Sequence, residues 1–176
     1  SEAVLKMVDY FDERIAITPA SSRKSYHLAC PGGLCQHSLN VLNNTAKLVK
    51  LYNIDISTES ILISALFHDL AKVGSLTEDR YIPATDRWRI ERGEIYTINP
   101  KSELLPVPQM SIFLLQHFEI KLEHPEFCSI LYNDGLYVEE NQSFFKKFKV
   151  PLFCNILHMA DLISSRQEEG KSLLDY

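Results

Sequence analysis

Three apolar stretches of this sequence carry a histidine or an aspartate where helix cores usually carry leucine. His68 and Asp69 follow Ala65-Leu66-Phe67. Asp161 follows Leu157-His158-Met159-Ala160, and His37 comes shortly after Pro31-Gly32-Gly33, at the start of a long run that includes Val41, Leu42, Leu48 and Val49. A carboxylate buried without a partner is costly. Two arrangements remove that cost: an ion pair with a neighbour such as Lys72, or a shared metal ion. A neutral imidazole together with a carboxylate suits Zn, Mn, Fe or Co, and the carboxylate also suits Mg. Adjacent helical residues point about 100° apart, so His68 and Asp69 would straddle an ion placed over their helix. The competing explanation is a set of core polar residues satisfied by hydrogen bonds.

The elements that must position these side chains are mostly helical. Val4, Leu5, Val8, Phe11 and Ile15 recur at helical spacing and predict a helix over residues 2–15. The clearest helix spans 34–52, where His37, Asn40 and Asn44 fall at i, i+3 and i+7 and form a polar stripe beside an apolar one. The next spans 58–71, capped by Thr58 or Ser57 and ended by Gly74. Residues 80–99, with Trp88, Ile90, Ile95, Tyr96 and Ile98 around Glu91-Arg92-Gly93-Glu94, predict a β-hairpin turning near Gly93. Short helices over 109–119 and 125–131, a turn at Asn133-Asp134-Gly135 and a final helix over 151–169 complete the reading. The fold class is mostly α with one small hairpin, in a single domain over residues 1–176. Three apolar helices, each with an inward His or Asp, are how helical bundles build metal sites.

Composition narrows the function classes. A hydrophobic content of 45% supports one packed core and leaves no room for a disordered class. The net charge of -5 argues against a large duplex nucleic-acid footprint, which calls for a basic face. Cys30, Cys35, Cys128 and Cys154 include no CxxC pair, which points to reduced, mostly buried thiols rather than a zinc site or disulfide framework. No apolar run approaches the ~20 residues of a membrane span, and residues 1–15 lack a signal-peptide pattern. The expectation is a soluble cytoplasmic protein that does not engage the membrane.

Taken together, the motifs resemble the HD superfamily of metal-dependent phosphohydrolases. Gly32-Gly33-Leu34-Cys35-Gln36-His37-Ser38-Leu39-Asn40-Val41 is similar to its GGLxxHSLxV element, His68-Asp69-Leu70-Ala71-Lys72-Val73-Gly74 to its HDxxKxG signature, and His158-Met159-Ala160-Asp161-Leu162-Ile163-Ser164 to its HxADxxS element. The resemblance spans about residues 25–168 and is nearest to small HD hydrolases of phages and bacteria, which carry a tryptophan-containing hairpin after the HD helix. A phage origin would place the protein in the host cytoplasm.

The resemblance implies an HD-type helical bundle, a divalent metal held by His37, His68, Asp69 and Asp161, and hydrolysis of a phosphoester or phosphoanhydride by metal-bound water. Relatives with two metals carry two further histidines in the middle of the chain. Here the corresponding stretches read Leu105-Pro106-Val107-Pro108-Gln109 and Tyr132-Asn133-Asp134-Gly135, with His117 and His124 out of register. One ion per chain, of Mn, Co, Zn, Fe or Mg, is therefore the expectation; a second ion using His117 or His124, or a degenerate enzyme, is the competing one.

Asp69 would combine ligation with orienting the attacking water, His27 would give a proton to the leaving group, and Lys72 would contact phosphate. Tyr26, Arg23, Lys24, Trp88 and Arg166 are the further candidates for substrate binding. His158, one turn before Asp161, is read as a hydrogen-bonding support rather than a ligand. The leading functional expectation is a phosphohydrolase acting on a nucleotide or related small molecule. The alternatives are a 3'-5' exonuclease on single-stranded RNA or DNA, and a non-catalytic metal- or nucleotide-binding protein. The apolar content permits association into homo-oligomers.

Overall fold

A computed structural model describes residues 1–103 and 105–170. The architecture is mostly helical with one small two-stranded antiparallel sheet. The N-terminal helix expected over 2–15 is split into α1 (Glu2–Phe11) and α2 (Glu13–Ile17) at Asp12, whose φ of 39° and ψ of -119° no helix accommodates. The split re-aims Arg14. Its guanidinium donates to the carbonyls of Val73, Ser75 and Glu78 at 2.7–3.1 Å and pairs with Asp79, clamping the loop that follows Lys72.

The long amphipathic stretch forms α3 (Gly33–Leu51). Gly33 has to be glycine: a Cβ there would collide with the Leu28 carbonyl oxygen and lie 2.9 Å from the Ala20 nitrogen. That close approach lays loop 20–28 across the start of α3.

The helix expected over 58–71 ends earlier. Ser57 caps α4 (Thr58–Phe67), accepting from the Ser60 nitrogen, and the helix closes at His68. Asp69 leaves helical geometry with φ -108° and ψ 15°, and Leu70–Val73 continue as a 3-10 turn. The break takes the Ala71 N–H off the helical ladder, and it donates to Ser111 Oγ instead.

The hairpin is present, but its strands are short and its connection is not a tight turn. β1 (Tyr81–Pro83) pairs with β2 (Tyr96–Ile98), and between them lies α5 (Arg87–Glu91). Asp86 caps α5 by accepting from the Arg89 nitrogen, and Gly93, at φ 83°, follows its end. Local capping thus outweighs the strand pattern that Trp88 and Ile90 suggested.

α6 (Val107–His117), α7 (His124–Leu131) and α9 (Leu152–Glu168) fall close to where periodicity placed them. Between the last two, α8 (Glu139–Lys147) has no counterpart in the sequence reading. It is polar, with acidic residues first and lysines last, and it docks through Phe144, whose ring stacks on Tyr132 at 3.8 Å.

Two apolar clusters hold the helices. The larger includes Met7, Phe11, Leu70, Leu114 and Ile130. The smaller joins α3, α4 and α9 through Val41, Ala65, Leu157 and Ala160, all fully buried. Its members lie four residues after His37, three before His68 and one before Asp161. The cluster therefore sets the spacing of three helices at the point where their polar side chains meet. Cys128 and Cys154 are buried, Cys35 is half-buried and Cys30 exposed, so the thiols are less buried than expected, and all four are free. No helix among the described residues is long and apolar enough to cross a membrane.

Candidate metal centre

His37 from α3, His68 and Asp69 from the end of α4, and Asp161 from α9 converge. His37, His68 and Asp69 are buried and offer ligand atoms within 4.8 Å of one another. His37 Nε2 lies 3.0 Å from Asp161 Oδ1 and 3.8 Å from Asp69 Oδ2. His68 Nε2 lies 3.6 Å from Asp69 Oδ2 and 3.9 Å from Asp161 Oδ1. Ligand atoms around an ion at its usual 2.0–2.2 Å are roughly 3.0–3.5 Å apart, so modest inward movement suffices. The helix break at Asp69 answers the geometric difficulty of adjacent residues: the carboxylate turns back toward the same point as the His68 ring.

Each imidazole is oriented through its other nitrogen. His37 Nδ1 is 2.9 Å from Glu168 Oε2, and His68 Nδ1 is 3.0 Å from the Ala65 carbonyl oxygen. Both partners accept, so both Nδ1 atoms carry hydrogen and both Nε2 atoms face the cluster. Those Nε2 atoms are buried and lack an aligned hydrogen-bond partner. Asp161 Oδ1 is close to His37 Nε2 but off the line of its ring N–H. Two buried imidazole nitrogens and the Asp69 carboxylate form a group that could hold a divalent cation; Asp161, 3.0 Å from His37 Nε2, stands beside that group rather than within it.

Without an ion the charges pair among themselves. Burial pulls the His37 pKa down, but the flanking Asp161 and Glu168 carboxylates raise it to about 9. Burial pushes the Asp69 and Asp161 carboxyls up, yet both end below the usual carboxylate range. Lys72, His68 and His37 hold Asp69 there, and His37 and His68 hold Asp161. Lys72 Nζ sits 2.6 Å from Asp69 Oδ2. Burial lowers the Lys72 pKa, and Asp69 more than offsets that, leaving it raised.

A pocket of about 360 Å³ opens on Asp161 and is lined by Tyr26, His27, Asp134, Tyr137, Arg166 and Glu169 among others. His27 stacks obliquely on His37, with ring centroids 4.7 Å apart. Burial and the neighbouring Lys72 and His37 charges lower its pKa to about 4.

Of the side chains expected to bind substrate, Tyr26 and Arg166 line this pocket, whereas Lys72, Arg23, Lys24 and Trp88 do not. Arg23 pairs with Glu94 at 2.8 Å, and Lys24 is exposed. Trp88 is 59% exposed on α5, with the Arg92 guanidinium 3.8 Å from its ring centroid. His158 Nδ1 donates to the Asn133 carbonyl at 2.8 Å, so its hydrogen bond supports the turn after α7 rather than a proposed ligand. His117 packs on Phe118, and His124 lies 3.5 Å from Cys128 Sγ; neither joins the metal-capable group among the described residues.

Glu168, Asp134 and Glu169 escaped the sequence reading. Glu168 had a signal, because it lies seven residues after Asp161 and so on the same face of the last helix. The polar stripe on α3 is explained by the same helix: Asn40 donates to Glu168 Oε1 at 2.7 Å and Asn44 to Ser164 Oγ at 2.9 Å. No family model, no curated protein and no solved structure matches the chain.

Proposed function

We propose that the protein is a metal-dependent phosphohydrolase of the HD type, cleaving a phosphoester or phosphoanhydride of a nucleotide or related small molecule. One observation carries the reading: His37 and His68 turn buried Nε2 atoms toward Asp69 and Asp161, beside a lysine and next to a pocket that opens on Asp161. His37, His68, Asp69 and Asp161 would hold one divalent ion, of Mn, Co, Zn, Fe or Mg. Such an ion lowers the pKa of a coordinated water and neutralises charge at phosphorus. Asp69 has two oxygens, so it can ligate and still accept a hydrogen bond. Lys72 reaches Asp69 now and is near enough to turn to a phosphate oxygen once the ion offsets that carboxylate. His27 is uncharged at neutral pH, which suits a hydrogen bond to phosphate or water better than proton delivery to the leaving group.

The nuclease reading has less support. The guanidinium groups of Arg23, Arg87 and Arg89 are engaged by Glu94 and Glu91, so the hairpin is not an open cationic face for a strand. A single panel separates the readings. Protein reconstituted with each metal is incubated with nucleoside mono- and triphosphates, cyclic nucleotides and short single strands, with Asp69→Ala as control. Turnover of a small phosphate compound that the control abolishes supports the proposal. Shortened strands with untouched nucleotides select the nuclease, and silence with every metal overturns catalysis.

A further inference from the structure

The charges around the pocket do not match a polyphosphate. The carboxylates of Asp69, Asp134, Asp161, Glu168 and Glu169 surround the centre and its pocket. Among the described residues, Arg166 is the cationic side chain that lines the pocket, 3.8 Å from Glu169, and Lys72, paired with Asp69, stands beside the centre. A divalent ion would still leave the described residues around it short of positive charge before any substrate arrives. One phosphate group can be met by the ion and Lys72. A second and third would extend into a pocket walled by Asp134 and Glu169, where like charges in a partly desolvated space repel strongly.

The acidic wall is built into the fold. Asp134 belongs to the turn between α7 and α8, and that turn is seated on His158. The Asn133 carbonyl accepts from His158 Nδ1, and a Cβ at Gly135 would strike the His158 ring. The turn therefore cannot carry Asp134 far from the pocket. Burial raises the Asp134 pKa and the fields of Asp69 and Asp161 raise it further, so the wall repels an anion most strongly toward higher pH. The pocket volume of about 360 Å³ is near the small end of the ~300–1,000 Å³ typical of ligand sites. Tyr26 and Tyr137 offer aromatic faces at its rim, and carboxylates accept hydrogen bonds from hydroxyl groups.

We infer that this site selects a single-phosphate substrate with an uncharged, hydroxyl-bearing remainder, a nucleoside monophosphate in class, and that Asp134 is the residue that rejects the corresponding triphosphate. The inference rests on the phosphohydrolase reading.

The test compares a nucleoside 5'-monophosphate with its triphosphate on metal-loaded wild type, Asp134→Asn and Asp134→Lys. It reads both kcat/KM and ligand-induced thermal stabilisation. The wild type should prefer the monophosphate in both readouts. Asp134→Asn should cut the mono-to-triphosphate preference by about tenfold, the effect of removing one repulsion of about 1.4 kcal/mol, and Asp134→Lys should cut it further. Any chelation of the ion by triphosphate affects all three proteins alike and cancels in the comparison. Triphosphate turnover equal to or above monophosphate in the wild type, or a preference that ignores both substitutions, overturns the inference and leaves the hydrolase intact. Neither turnover nor stabilisation by either nucleotide, with metal bound, overturns the underlying reading as well.

Discussion

His37 Nδ1 and Glu168 Oε2 are 2.9 Å apart across the α3–α9 interface, and Glu168 also accepts from Asn40 through its other oxygen. The carboxylate thus fixes both the tautomer and the ring angle of His37. Partners of this kind typically contribute about 10- to 100-fold to metal affinity. Glu168→Ala should weaken Mn or Zn binding by about that factor. Glu168→Gln, which keeps an acceptor but loses the charge, should recover part of the loss. Isothermal titration of the metal-stripped protein checks both. Equal affinities in wild type and Glu168→Ala would reduce Glu168 to a helix-pairing residue.

The same pair predicts a pH dependence. In the metal-free protein His37 has a pKa of about 9 against an ordinary 6.5. A histidine whose folded pKa is raised contributes stability that is complete below about 6.5 and lost as pH rises through about 9. The metal-stripped protein should therefore lose stability across that window. The loaded protein should behave oppositely, because an ion displaces the His37 proton and wins more easily as pH rises. Thermal melts with and without metal from pH 6.5 to 9 should diverge. Calorimetry in two buffers of different ionisation enthalpy should show about one proton released per ion bound at pH 7.

Part of this cluster was legible in the sequence because histidine and aspartate are rare in apolar helices. His68, Asp69 and Asp161 stood out against leucine and alanine and His37 on the polar stripe of its helix, but it was the resemblance to the HD superfamily, not spacing, that grouped the four. What was not legible depended on backbone departures from helix. The break at Asp12 places Arg14 on the 73–78 carbonyls, and the break after His68 turns Asp69; neither position carries glycine or proline to announce it. α8 escaped notice because its docking residues, Phe144 and Phe145, are too few to make a period. Trp88 misled because an aromatic among isoleucines reads as strand, while Asp86 and the Arg87–Glu91 pair make it helix.

Lys72 and Asp69 form a largely buried pair, so removing Lys72 takes from Asp69 its nearest cation and leaves His37 and His68 at 3.6–3.8 Å. Breaking such pairs typically costs about 3–5 kcal/mol. Lys72→Met should destabilise the metal-stripped protein by roughly that amount in urea unfolding. A saturating divalent ion should recover most of the loss, since it takes over the charge of Asp69. A loss that metal leaves unchanged would mean that Asp69 is not a ligand.

The last prediction concerns the loop that carries Tyr26 and His27. Ala20 N donates to the Leu28 carbonyl at 3.1 Å, closing residues 20–28 into a loop, and Gly33 lies against that closure with no space for a Cβ. Gly33→Ala forces the Leu28 carbonyl outward or tilts the start of α3. Overpacking of this kind costs about 1–3 kcal/mol, a fall of roughly 2–9 °C in melting temperature for a chain of this size. His68, Asp69 and Asp161 lie away from the clash, and His37, one turn into α3, is anchored by Glu168 on α9, whereas His27 is carried by the loop itself. Metal affinity should therefore survive while phosphate binding to the loaded protein weakens. Loss of metal binding in step with stability would show instead that loop 20–28 and the metal centre form one cooperative unit.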